Sequence, residues 1–141
     1  MLADDDADDK TLFCEALAEI NPDIVCHTAS DGKEALAILS ENQIEKPNII
    51  FLDINMPVMD GWQCLGKIKE HNAHRDIPVI MYSTSSYQRD IELALESGAF
   101  CFFTKPSDYR ELRRILKLIA TTPLDSLSTT MKEFKNLKFT R

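Results

Sequence analysis

No stretch of this sequence is apolar over anything near the ~20 residues that a bilayer-spanning helix needs, and its first residues are acidic rather than signal-like. A cytoplasmic location with no membrane partner is therefore expected. Histidine is scarce, and there is no Cys-x-x-Cys pair. The four cysteines, Cys14, Cys26, Cys64 and Cys101, are scattered, each beside apolar residues. They read as reduced, mostly buried small hydrophobes rather than metal or redox groups. His71 and His74 stand three apart without a third ligand near them in sequence, so solvated helix-end residues are the plainer reading.

Basic charge is also in short supply. Lys and Arg number 16 against 23 Asp and Glu, a net charge of −7. What basic charge there is lies late: from Arg110 onward eight basic residues meet three acidic ones, which leaves the first 109 residues at −12. An acidic body argues against general nucleic-acid binding. The basic end could meet an acidic partner or be an ordinary solvated helix face. With 141 residues, 44% of them hydrophobic, the chain suits one domain with a single core.

Apolar runs and helical patterns alternate along it. Residues 1–3 form a strand stub ending in aspartates. Residues 11–20 place Leu12, Cys14, Leu17 and Ile20 near helical spacing. Residues 24–28 read as a strand, and Ser30-Asp31-Gly32 as a capped turn before a helix with Ala35, Leu36, Ile38 and Leu39 on one face. Residues 48–52 form a nearly continuous apolar strand, of the kind buried on both faces. A loop marked by Pro57 and Gly61 leads to a helix over 62–70, then come a strand over 79–82 and a helix over 86–97 closed by Gly98. A fifth strand over 100–103 and a fifth helix over 108–119 complete the pattern, the latter with Leu112, Ile115, Leu116 and Ile119 inward.

Five strand–helix units with short connections imply a doubly wound α/β fold, a five-stranded parallel sheet covered on both faces. Such sheets bind ligands at the carboxyl ends of their strands, where strand order reverses. That places the chemistry after residues 3, 52, 82 and 103. There stand Asp4, Asp5 and Asp6; Asp53; Ser83 and Thr84; and Lys105. Several carboxylates at one edge repel unless a cation joins them, and hard oxygen ligands suit Mg²⁺. A carboxylate nucleophile, a hard divalent ion, an ammonium and a hydroxyl together form a phosphoryl-transfer site with an aspartate acceptor. Asp6, Asp8 and Asp9 serve equally well as N-cap and macrodipole residues.

Ala3-Asp4-Asp5-Asp6, the block Leu52-Asp53-Ile54-Asn55-Met56-Pro57-Val58-Met59-Asp60-Gly61, Pro78 to Ser83, and Thr104-Lys105-Pro106 resemble the signature blocks of response-regulator receivers. The resemblance runs to about Ile119. Ser83-Thr84-Ser85 and Gly98 to Phe103 are similar to the small stand-alone regulators, some of which work with phytochrome kinases. It implies a flavodoxin-like fold with strand order 2-1-3-4-5. Residues 1–120 would be the receiver and 121–141 a tail, with no separate output domain. Asp53 would accept a phosphoryl group from a histidine kinase or phosphotransfer protein. Asp5, Asp53 and the main-chain carbonyl of Asn55 would hold Mg²⁺, with Asp4 assisting through water. Lys105 would pair with the phosphoryl group, while Ser83 would move toward it and draw in Phe102. The signal would leave by contacts with a downstream protein, or through a homodimer built on the fourth helix, fifth strand and fifth helix, where an acidic helix could meet a basic one. No enzymatic turnover beyond self-directed phosphoryl transfer is expected.

Three features depart from the resembled pattern. The first strand has only three residues before the aspartates, so either the chain begins mid-strand or this strand is short. Phe102 lacks a tyrosine's hydroxyl. The roughly twenty residues after the fifth helix are too few for a DNA-binding domain. In that tail Leu127, Met131 and Phe134 fall at i, i+4 and i+7, which permits docking, but a frayed terminus is the favoured expectation. Two other functions compete. An aspartate-nucleophile phosphatase would want a second carboxylate two residues after Asp53, and Asn55 cannot supply it. A receiver-like scaffold that is never phosphorylated would have no need of Asp5, Asp53, Ser83 and Lys105 together.

Overall fold

Short apolar runs make the strands, and aspartates start most of the helices. The computed structural model describes residues 1–41, 44–131 and 134–139. In chain order the elements are β1 (Leu2–Ala3), α1 (Ala7–Ile20), β2 (Thr28–Ala29), α2 (Gly32–Ser40), β3 (Ile50–Leu52) and α3 (Gly61–Glu70), followed by β4 (Val79–Ser83), α4 (Gln88–Glu96), β5 (Cys101–Thr104), α5 (Tyr109–Thr121), α6 (Leu124–Thr130) and β6 (Leu137–Phe139). The side chains of Asp6, Asp31, Asp60 and Asp108 each accept a backbone N–H at the start of α1, α2, α3 and α5, satisfying donors that the first helical turn leaves open. At Asp60 the bond is reciprocal, with Gln63 reaching back to the Asp60 N–H. Gly98 closes α4 at φ 97°, a left-handed position that suits glycine.

The sheet runs β2-β1-β3-β4-β5-β6, and the first five strands are parallel in the anticipated order. Along β4, Val79 and Met81 face one core with α2, α3 and α4, while Ile80 and Tyr82 face a second core with α1 and α5. Both faces of the sheet are thus buried, which is why these strands read as continuous apolar runs. β1 has only two residues, yet it pairs on both sides and both are fully buried.

The structure corrects several expectations. β2 is a two-residue strand rather than 24–28, and α1 begins four residues earlier than its apolar spacing suggested. The buried stripe of α1 is Phe13 and Ala16, with Leu17 and Ile20 behind them, while Leu12 is exposed. Cys64 and Cys101 are buried as expected, but Cys14 and Cys26 are only half-buried. His74 is buried and stacks on His71, rather than lying in solvent.

The largest correction concerns the tail, whose expected fraying does not occur among the described residues. α6 buries Leu127 completely, Met131 follows it into the same core, and β6 pairs antiparallel with β5, placing Leu137 opposite Phe103 and Lys138 opposite Phe102. The sheet therefore has six strands. β6 also covers the open side of β5, a sheet edge that would otherwise present unpaired backbone groups. The face expected to form a homodimer, α4, β5 and α5, carries β6 along β5. Its basic helix is also partly engaged within the chain: Arg113 meets Glu19 at 3.0 Å, and the Arg114 guanidinium lies 4.8 Å from the Phe134 ring. Among the described residues no helix is long and apolar enough to cross a membrane.

A docked tail makes a direct prediction. Leu127→Ala should lower stability by ~2–4 kcal/mol, as a core truncation does. Urea unfolding would measure it. A change within ~0.5 kcal/mol, typical of an exposed site, would show that the tail contributes no core.

Candidate functional site

Parallel strands bring their carboxyl ends to one edge of the sheet, and the residues singled out for chemistry follow them there. The backbone stitches these ends together: the Asp53 N–H donates to the Ala3 carbonyl at 2.9 Å, and the Lys105 N–H donates to the Ser83 carbonyl at 2.7 Å. Lys105 thereby lies across the edge from Asp4. Its Nζ reaches Asp4 Oδ2 at 2.7 Å, Asp9 Oδ2 at 2.8 Å and Asp53 Oδ2 at 3.7 Å, and it lies 5.1 Å from the centroid of the Tyr82 ring. Burial alone would lower the Lys105 pKa, but hydrogen bonds to Asp4 and Asp9 and the charge of Asp53 raise it on balance, so the ammonium is held charged.

One lysine does not neutralise this edge. Asp4 is fully buried, with Oδ1 accepting the Asp6 N–H at 2.9 Å and Oδ2 bound to Lys105. Asp53 is buried too, and its Oδ1 accepts the Ile54 N–H at 2.8 Å. Burial pushes the Asp53 carboxyl up to about 6, Lys105 pulls it back in part, and Asp4 pushes it up again. Asp4, Asp5 and Asp53 each offer a carboxylate oxygen within 4.8 Å of the others, and Asp5 is exposed. Three oxygen donors, one of them open to solvent, beside a single ammonium form a donor set for a small hard divalent cation that keeps part of its water.

The loop after Asp53 is shaped for close approach. The Gly61 N–H donates to the Ile54 carbonyl at 2.8 Å. A Cβ on Gly61 would overlap the Asp53 carbonyl oxygen and come 2.9 Å from Ile54 Cα, so only glycine lets α3 begin here. Val58 sits at φ 65°, flanked by a bond from the Met59 N–H to the Pro57 carbonyl at 2.7 Å. A three-residue turn with positive φ is strained, more so at a β-branched residue.

Of the residues expected to act, the structure brings together Asp4, Asp5, Asp53 and Lys105. Ser83 ends β4 beside them, its Oγ accepting the Ser85 N–H at 3.2 Å. Asn55 follows on the surface of the loop. Phe102 is fully buried in the core with Ile91 and Ala94 of α4, already inward. Neither Lys105 nor Ser83 is open to solvent, although each follows or ends a strand at the sheet edge: the Lys105 side chain is 10% exposed and Ser83 is 1% exposed. Asp9 and Tyr82 were not foreseen in the site. Asp9 lay in a run of aspartates that capping explains, and Tyr82 in an apolar strand. A cavity of about 310 Å³ lies beside them, lined by Asp9, Tyr82, Lys105 and Tyr109 among others.

The raised Asp53 pKa carries a stability signature with a definite sign. Asp53 holds its proton more tightly in the folded state, near pH 6 against 3.8 for the free group. Its contribution is fully present below pH ~4 and is lost as pH rises through ~6. Without divalent ions, Asp53→Asn should therefore stabilise the protein by roughly 3 kcal/mol at pH 7.5 and hardly at all at pH 4. Thermal melts of the two proteins in chelator would measure the difference. Equal gains at both pH values would show that the carboxylate is not strained by burial.

The geometry has counterparts in known proteins. Residues 1–117 match the sequence model of the response regulator receiver domain. A probable transcriptional regulator ycf27 of Cyanophora paradoxa is 35% identical over 139 residues, 98% of this chain, which spans 55% of that relative's length. The crystal structure of the phosphorylated cyanobacterial phytochrome response regulator RcpA superposes with a TM-score of 0.77 at 34% identity, over 84% of this chain and 87% of that one. The Mn²⁺-bound form of response regulator Rcp1 gives the same score at 29% identity, over 89% and 93%. Since the family match takes in β1 through most of α5, and with them every strand end described above, the protein belongs to the response regulator receiver domain family.

Proposed function

We propose that this protein is a phosphorylation-dependent switch of a two-component system, in which Asp53 accepts a phosphoryl group from a histidine kinase or phosphotransfer protein. The observation that carries this reading is the convergence of Asp53 with Asp4, Asp5 and Lys105 at one sheet edge. With Asp53 Oδ1 held by the Ile54 N–H, Oδ2 is the oxygen that faces Lys105. A carboxylate oxygen of Asp53 bonds to phosphorus as the donor's P–N bond breaks, and the imidazole leaves with that electron pair. Lys105 offers its ammonium to a phosphoryl oxygen, and the Ser83 hydroxyl can turn from Ser85 to donate to another. Mg²⁺, bound to Asp5, Asp53 and the Asn55 carbonyl, would offset the negative charge that gathers on the transferred oxygens. Asp4, whose two oxygens already serve Lys105 and the Asp6 N–H, would support that ion through water. The metal-bound and phosphorylated regulators Rcp1 and RcpA lend this assignment support by similarity.

The signal has a physical route outward. Phosphorylation adds about −1.5 to −2 charges and three acceptor oxygens beside Lys105 and Ser83. The next residues along tie α4 to β5: Thr104 Oγ1 donates to the Ser85 carbonyl at 3.2 Å, and Ser85 Oγ donates to Asp90 of α4 at 2.5 Å. A shift of Ser83 therefore pulls on the start of α4, whose first turn has no side-chain cap of its own. We place the readout for downstream proteins on this side of the molecule, around α4, β5 and the docked tail.

Incubation with Mg²⁺ and acetyl phosphate, followed by intact mass, tests the assignment. Wild type should gain one phosphate and Asp53→Asn none. Persistence of the adduct in Asp53→Asn would assign the chemistry to another residue. Omitting Mg²⁺ should abolish the gain.

A further inference from the structure

We infer that Cys14 and Cys26 form a site of reversible oxidation, closing to an intramolecular disulfide when a low-molecular-weight disulfide such as oxidised glutathione is present. The sulfur atoms stand 2.7 Å apart, Cys14 on α1 and Cys26 on the segment leading into β2. A covalent S–S bond is about 2.05 Å long, so closure asks for only a small adjustment on each side. Non-bonded sulfurs do not ordinarily approach so near. The two residues lie 12 apart in sequence, and the packing of Phe13 and Ala16 of α1 against the sheet brings them together. Both are half-buried, whereas Cys64 and Cys101 have no exposed surface. An oxidant in solvent therefore meets one pair of thiols that can react and two single thiols that it cannot reach. Nothing in this depends on the phosphorylation chemistry: Asp4 and Asp5 precede α1, whereas Cys14 lies midway along it.

The chemistry balances by two exchanges. Burial and the contact with Cys14 push the Cys26 thiol up to about 12, which makes it a poor opening nucleophile. Cys14 attacks first, as its thiolate. One sulfur of the small disulfide joins Cys14 and the other leaves as a thiolate, which takes up a proton. Cys26 then gives up its proton and attacks the Cys14 sulfur, and the second small thiol departs. Two protein thiols are oxidised, and one small disulfide is reduced to two thiols. The short separation favours the second step over a lasting mixed disulfide. Since α1 also carries Asp9, the bond would fasten the helix that holds one of the partners of Lys105.

The measurement is direct, because trypsin releases both cysteines in a single peptide spanning residues 11–33. The intact protein is treated with oxidised glutathione, unfolded in the presence of an alkylating agent and digested. Peptide 11–33 should be lighter by two hydrogens and unalkylated, with Cys64 and Cys101 alkylated in full. The thermal midpoint should rise by about 5 °C or more and return on reduction, as a loop-closing bond predicts. Cys26→Ser should instead retain glutathione on Cys14, since no resolving thiol remains. Full alkylation of peptide 11–33 in the treated wild type would overturn the inference. So would an unresolved glutathione adduct on the wild-type protein, or a bond from either residue to a second chain.

Discussion

Three carboxylates share a sheet edge with one ammonium, and the rest of the site is arranged around that imbalance. Lys105 must stay charged, so it is drawn in among Asp4, Asp9 and Asp53 and sheltered against the Tyr82 ring. Asp4 can be fully buried only because Lys105 and the Asp6 N–H occupy its two oxygens. Asp53 is left with the least compensation, at 3.7 Å from Nζ, and its raised pKa records that. A buried charge without a full partner costs stability, and natural proteins accept such a cost where a ligand will repay it. In the proposed switch that ligand would be a divalent cation, and after it a phosphoryl group.

The fold serves this edge by holding five strand ends in register with little material. β1 contributes two residues and β3 three, yet each is paired on both sides, so the aspartates after them are set by backbone hydrogen bonds and not by loop conformation. The tail adds a further constraint. The Thr104 N–H donates to the Asn136 carbonyl at 2.8 Å, and the Asn136 amide returns a bond to the Thr104 carbonyl at 3.0 Å. The residue just before Lys105 is thereby tied to the residue that leads into β6 as well as to Ser85.

The parts legible in sequence were those in which one residue type at one place carries the physics. Asp53 stands at the end of an apolar run, with Pro57 and Gly61 shaping the loop behind it, and Lys105 follows another such run. The two-faced core follows from the same alternation of runs and helices, whereas the strand order comes from the resemblance to receivers. Asp9 could not be read, because in a row of aspartates ahead of a helix capping and ion pairing predict the same letters. Asp6 proves to be the cap and Asp9 the partner of Lys105. The tail carried its signal in three residues, Leu127, Met131 and Phe134, too few to outweigh the usual fraying of a terminus. β6 was invisible, since a three-residue strand with a central lysine has no pattern apart from its neighbour β5. The pairing of Cys14 with Cys26 is a property of the α1-to-sheet contact and is not encoded by their spacing.

Titrating Mg²⁺ against the fluorescence of Trp62, in the first turn of α3 close to the site, tests the central claim most directly. If unbalanced carboxylates make the site, wild type should show a saturable change that strengthens as pH rises through 6, because Asp53 must shed its proton to bind. The double variant Asp5→Asn, Asp53→Asn should show no saturable change at any pH. Undiminished binding in the double variant, or wild-type binding that weakens as pH rises through 6, would contradict the account.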